Sequence, residues 1–247
     1  MFSHWGDYNS VMNGMASPGD PIELPSWAKY AIVMAIAMDY KQLERSPAVE
    51  CSTDIAYSKM AFVASSLATY IRNLGYHAIP SGNDLALSIP LAIDAGLGEL
   101  GRNGTLITGP FGPRVRLCKV FTELPLETDS PVDIGVQHFC ENCKICASTC
   151  PGKSIMDGDR TDKAWGDSNS VNVLKWPIKS MNCLSWWIKN RASCAVCIRI
   201  CPYNKPPGIL HSLVRKIIER TSLFDRFFVR MEKFMGYGKQ VLRELED

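Results

Sequence analysis

The chain has 247 residues, 46% of them hydrophobic, and a formal charge of +2. That length suits one large domain or two modest ones, and the hydrophobic content is ordinary for a globular protein. So small a charge argues against a nucleic-acid partner or a strongly acidic one. The longest apolar stretch, Ala31 to Met38, is far too short to span a bilayer. Met1 opens neither a signal peptide nor a twin-arginine leader, so the chain as written is expected to be soluble.

In chain order, residues 1–25 are rich in Gly, Pro, Ser and Asn and predict a loop-like N-terminal segment. Residues 26–134 alternate strand and helix signals. Ala31–Met38 predicts a buried strand, and the cluster Ser52–Asp54 predicts a cap for the next helix. That helix is expected from Ile55 to Leu74, with Met60, Val63, Ala64, Leu67, Ile71 and Leu74 at helical spacing and Gly75 ending it. A short strand at YHAIP, a second helix over Leu85–Ala95, a Gly-rich loop from Gly96 to Gly104, and a strand over Val115–Phe121 complete this part. Residues 135–209 hold most of the cysteines, and 210–247 predict a solvated helical cap.

Eight of the ten cysteines fall into two runs. The first is Cys140, Cys143, Cys146 and Cys150, followed by Pro151; the second is Cys183, then Cys194, Cys197 and Cys201, followed by Pro202. C-x2-C-x2-C-x3-C-P is the bacterial ferredoxin spacing for [4Fe–4S] clusters, in which the fourth Cys ligates the other cluster. Cys140, Cys143, Cys146 and Cys201 are therefore assigned to one cluster, and Cys183, Cys194, Cys197 and Cys150 to the other. Zinc sites favour pairs of C-x2-C, and disulfide frameworks favour short secreted chains, so both are poorer readings. Cys51 and Cys118 are left over and read as small buried apolar residues.

Two clusters carry single electrons, and the half of the chain before them should supply or use those electrons. Gly96, Gly98 and Gly101 match G-x-G-x-x-G, but the match follows a helical stretch rather than a strand, so a dinucleotide site is rejected. Glycines here, Gly104 included, allow close backbone approach to a bulky or anionic ligand.

The collinear blocks AYSKM, GYHAIPSGN, AGLGELGRNG and FGPRVRLCKVFT, followed by the cysteine runs with CLSWW, resemble the corrinoid-dependent reductive dehalogenases from about Leu24 onward. The resemblance implies an α+β fold, with a partial nitroreductase-like cobalamin-binding core followed by a ferredoxin-like module holding two [4Fe–4S] clusters. It implies reduction of a small organohalide, with electrons passing through the clusters to a corrinoid cobalt. Tyr57 matches the proton donor, Asn83 a pocket asparagine, and Arg116 an arginine beside the tyrosine. Gly96, Gly98, Gly101, Asn103 and Gly104 would contact the corrinoid, and Trp187 would line the substrate pocket.

The chemistry is coherent, because replacing halogen by hydrogen needs two electrons and a proton. Tyr is a weak acid, and a nearby guanidinium favours the anionic form of a phenol. Without the resemblance, Tyr57 reads as a half-buried helix residue, Asn83 as a turn residue and Arg116 as a strand residue in a surface ion pair. His77 and His138 read as structural. The resemblance also implies an electron donor, extended in this family to a membrane-anchor subunit, and members that are exported and membrane-associated.

Epoxyqueuosine reductases share the AGLG loop, CLS and CPYN, but they place an aspartate in the slot of Tyr57. Family dehalogenases are typically longer, with an N-terminal region that this chain is read as lacking. A two-cluster electron carrier or truncated remnant without corrinoid is the alternative from a different class.

Overall fold

The structure is a computed structural model that describes residues 24–166, 168–206 and 208–236. The predicted segment 1–25 and the end of the predicted cap therefore lie largely outside the described residues. The fold is mixed α and β. In order, the elements are β1 (Tyr30–Ala37), α1 (Ser46–Asn73), β2 (Ala78–Ser81), α2 (Ser88–Asp94), β3 (Glu99–Leu100), β4 (Leu106–Ile107) and β5 (Val115–Thr122). They are followed by α3 (Val136–Cys143), α4 (Ile145–Thr149), α5 (Ser180–Asn190), α6 (Val196–Arg199), α7 (Ile209–Arg220) and α8 (Asp225–Met235). Among the described residues, no helix is long and apolar enough to cross a membrane.

Two compact units interleave along the chain. The first comprises the described residues up to Ile36, Ala56–Leu97 and Arg116–Pro131; the second comprises Ala37–Ile55, Gly98–Val115 and the residues from Val132 onward.

In the first unit, β5 is the central strand of a three-stranded sheet with the order β1-β5-β2. β2 runs antiparallel to β5, with Ile79 opposite Phe121 and Ser81 opposite Lys119. α1 lays Met60, Ala64, Ala68 and Ile71 against Ala78, Cys118 and Val120. These helix positions recur three or four residues apart, which keeps them on one face. The small alanines let the helix sit close to the strands. Gly75 follows α1 at φ +92°, a conformation that residues with a Cβ avoid.

The sequence expectations need four corrections here. α1 begins at Ser46, so Ser52 lies inside it rather than capping it, and its Oγ accepts from the Asp39 N–H at 3.0 Å. Val63 and Leu74 are exposed, because the buried stripe is narrower than the apolar pattern suggested. α2 starts at Ser88, since Leu85 sits at φ +63° and cannot belong to a right-handed helix. Cys51 is exposed on α1, one residue from buried Ser52, whereas Cys118 is fully buried on β5. The tail also forms two helices, broken where Thr221 is extended at φ −159°.

The second unit is built from short helices and loops. Its main core gathers Ile107, Val136, Phe139, Cys140, Cys143, Ile145, Trp176, Cys201, Tyr203, Ile218 and Val229. Three of those core residues, Cys140, Cys143 and Cys201, are cysteines of the two runs.

Candidate functional sites in the two units

The helix carrying Cys140 and Cys143 is held in place by groups distant in sequence. Glu99, buried on β3, accepts from the Ile134 and Val136 N–H groups at 2.7 and 3.0 Å. A carboxylate there satisfies donors that a helix start leaves unpaired and complements its dipole. His138, one helical turn in, pairs with fully buried Asp225 of α8 at 2.8 Å. Lys144 then turns the chain through the left-handed region at φ +52°, separating α3 from α4 and bringing Cys143 and Cys146 onto the same cavity.

That cavity is lined by Cys140, Cys143, Cys146 and Cys201, together with Arg102, Asn103, Phe139 and Tyr203. Burial pushes the thiols up, Cys140 to about 11 against the pull of Arg102; neighbouring sulfurs add to burial at Cys143, which goes to about 12, and at Cys146 and Cys201, which go well above the usual range. Cys150, Cys183, Cys194 and Cys197 form a second electrostatic neighbourhood. Cys183 and Cys194 are raised by burial and by facing Cys150, and Cys197 goes to about 12 through burial and all three partners. Cys197 is also within reach of Cys146 and Cys201, so the two groups are neighbours. The Ser154 N–H donates to Cys150 Sγ at 3.3 Å.

Among the described residues, no three His, Cys, Asp or Glu side chains stand close enough to hold one metal ion. A zinc ion draws its thiolates to about 2.3 Å. The four sulfurs instead range around a cavity.

The Gly-rich loop belongs partly to this cavity. Gly101 packs where a Cβ would meet the Ile107 side chain at 2.4 Å, and at Gly98 it would meet the Ile107 carbonyl oxygen at 2.1 Å. Gly104 is closed in by Ile178 at 2.6 Å. Asn103 reaches the Cys197 carbonyl oxygen at 3.5 Å. Gly98, Gly101 and Gly104 each therefore lie close against the chain itself. Arg102, 1% exposed, was not singled out from the sequence; it lies between two residues that were.

In the first unit, α1 presents Tyr57 and the β2–α2 turn presents Asn83. Asn83 Nδ2 donates to Tyr57 Oη at 2.7 Å. The Arg116 guanidinium on β5 stands 5.4 Å from the centre of the Tyr57 ring, a cation–π distance. The three residues that motif matching named therefore meet at one place. Tyr57 and Asn83 border an open hollow that Met60, Ala61, Ala64, Ser65, Pro80, Ser81 and Gly82 also line. Tyr57 is 37% exposed there.

The turn is fixed from below. Lys119, fully buried, donates to the Gly82 carbonyl at 2.6 Å and to Ser88 Oγ at 3.0 Å. Asp84 accepts from the Gly82 N–H at 2.8 Å. Burial lowers the Lys119 ammonium to about 8, against the pull of Asp84. Trp187 stands 40% exposed on α5 and lines neither this hollow nor the cysteine cavity.

Comparison with known proteins points to one class, the reductive dehalogenases. The chain is 38% identical over 231 residues to the tetrachloroethene reductive dehalogenase of Sulfurospirillum multivorans, covering 92% of this chain and 46% of that protein. No protein-family model matches it. Its fold superposes on a solved reductive dehalogenase, one from which a mechanism of B12-dependent dehalogenation was suggested. The TM-score is 0.78 at 26% identity, over 85% of this chain and 30% of the other. The chain belongs with the reductive dehalogenases over the region they share, and it spans less than half the length of these relatives. A more distant match, the epoxyqueuosine reductase of Lactococcus garvieae, is 30% identical over 124 residues, covering 48% of this chain and 32% of that protein.

Proposed function

We propose that the chain contributes the electron-transfer module and the proton-donor wall of a reductive dehalogenase acting on a small organohalide. The observation that carries this reading is the meeting of Asn83 and Arg116 on Tyr57. Because the Asn83 amide occupies a lone pair of the phenol oxygen, the hydroxyl hydrogen is left to be given elsewhere. Tyr57 Oη is the proposed source of the proton that replaces the halide. Arg116 beside the ring favours the negative charge that the transfer leaves behind. The apolar side chains of the hollow suit a substrate with few polar groups, and Trp187 is kept as a candidate pocket wall.

Cys140, Cys143, Cys146 and Cys201 are proposed to hold one [4Fe–4S] cluster, and Cys150, Cys183, Cys194 and Cys197 the other. Their setting fits such a group: buried sulfurs around a cavity, with a backbone N–H already donating to one of them. When bound, the clusters would carry single electrons and a corrinoid would supply the cobalt at which the carbon–halogen bond is reduced. For the corrinoid, the described residues of the first unit supply one open wall rather than an enclosure. In the Gly-rich loop, Asn103 also lines the cluster cavity, and Gly96, Gly98, Gly101, Asn103 and Gly104 stay as candidate corrinoid contacts.

Two electrons are needed per halogen removed, so a separate electron donor is implied. A membrane-anchor subunit is the candidate that the family suggests. The core related to nitroreductases and the ferredoxin-like character of the second unit are parts of the same proposal. The epoxyqueuosine reductase alternative is weaker, since its match covers under half the chain and Tyr57 stands in its aspartate slot.

The test is anaerobic reconstitution with iron, sulfide and hydroxocobalamin, then metal analysis after desalting. About eight irons and one cobalt per chain are expected. Irons without cobalt would reduce the chain to an electron-carrying module.

A further inference from the structure

Arg102 is the most deeply buried charge in the wall of the first cysteine cavity, at 1% exposure. Its Nε donates to the Cys140 carbonyl at 3.0 Å, and its Nη1 donates to the Met156 and Gly158 carbonyls, both at 2.8 Å. The guanidinium lies 4.5 Å from the centre of the Trp176 ring. Every one of these partners is neutral. A salt bridge is therefore not what retains the charge. The two acidic groups near Cys140 are otherwise engaged: a Glu99 carboxylate oxygen accepts from two backbone N–H groups, and Asp225 pairs with His138. Lys144 also lines the cavity, but it is partly exposed and so screened by water. A buried cation acts through a low effective dielectric and is felt several times more strongly than an exposed one.

We infer that Arg102 tunes the first cluster, holding its reduced form more stable than a neutral residue would. This rests on the cluster reading above. On reduction, a cluster with four thiolates gains one electron and one unit of negative charge, with no bond formed or broken. A fixed positive charge in the cavity wall stabilises that added charge. Because Arg102 cannot lose its proton, the effect persists at any working pH. Arg102 is thus a positioning residue with an electrostatic task, acting on the cluster and not on the substrate.

The experiment is a dithionite titration of the reconstituted chain followed by electron paramagnetic resonance, with iron counted in parallel. Arg102→Gln removes the charge and leaves an amide with two N–H donors, enough for at most two of the three carbonyls; Arg102→Lys keeps the charge. In Arg102→Gln, with all irons retained, one couple should show at least a tenfold fall in its reduced-to-oxidised ratio at a fixed ambient potential. That corresponds to about 59 mV for a one-electron couple. Arg102→Lys should recover most of it, and the other couple should stay put. Unchanged potentials in Arg102→Gln would overturn the inference. So would loss of one cluster's irons from both variants, which would make Arg102 a structural pin only. Wild type holding fewer than eight irons would instead sink the cluster reading itself.

Discussion

Asn83 gives its amide hydrogen to the phenol oxygen of Tyr57 across 2.7 Å, so the two side chains are fixed as acceptor and donor before any ligand arrives. That relationship makes Tyr57 a hydroxyl whose own hydrogen points away from its nearest neighbour. Tyr57→Phe removes the proton and keeps the ring. Turnover of a chlorinated ethene by the cobalamin-loaded chain should fall by about 10²-fold or more, the usual weight of one general acid. Full turnover with both cofactors bound would end the proton-donor assignment.

Arg116 faces the ring of the same tyrosine at 5.4 Å. Arg116→Leu removes the cation while keeping an apolar stem, and turnover should drop by roughly fivefold, in line with the ~1 kcal/mol of a cation–π contact. Arg116→Lys should fall between the two. An identical pH–rate profile in wild type and Arg116→Leu would count against the pairing.

Cys146 lines the cavity with Cys140, Cys143 and Cys201. Cys146→Ala should lower the iron content from about eight to about four per chain, with the second group intact. Retention of all the iron would show that the sulfurs are partitioned differently.

Lys119 titrates inside the fold. Burial brings its ammonium from 10.5 down to about 8, so between those values the unfolded chain binds more protons than the folded one. Stability contributed through this group therefore rises with pH across that window and is flat below it. The gap in unfolding free energy between wild type and Lys119→Met should move in favour of wild type by on the order of 2 kcal/mol from pH 7.5 to pH 10. Urea unfolding at the two values measures it, and a constant gap would mean that Lys119 does not titrate there.

The grouping of Cys140, Cys143, Cys146 and Cys201 onto one cavity follows from short intervals along the chain for three of them, which local signals can carry. Such signals were also enough for α1, whose buried Met60, Ala64, Ala68 and Ile71 repeat at the helical period. The start of α1 was misread because Ser52 looks like a cap, while its hydroxyl in fact serves Asp39, 13 residues earlier.

Tertiary structure alone decided the partners that no spacing encodes. Glu99 caps a helix more than thirty residues away, with its acceptor bonds reaching Ile134 and Val136 at sequence separations of 35 and 37. Arg102 serves carbonyls 38 to 56 residues on. Asn83 meets Tyr57 across 26 residues. The physical reason is the same for all three. A hydrogen bond needs its partner within about 3 Å and in line, and only the packing of distant segments creates that proximity. Periodicity and spacing report on a segment's own geometry and are blind to what will be folded against it.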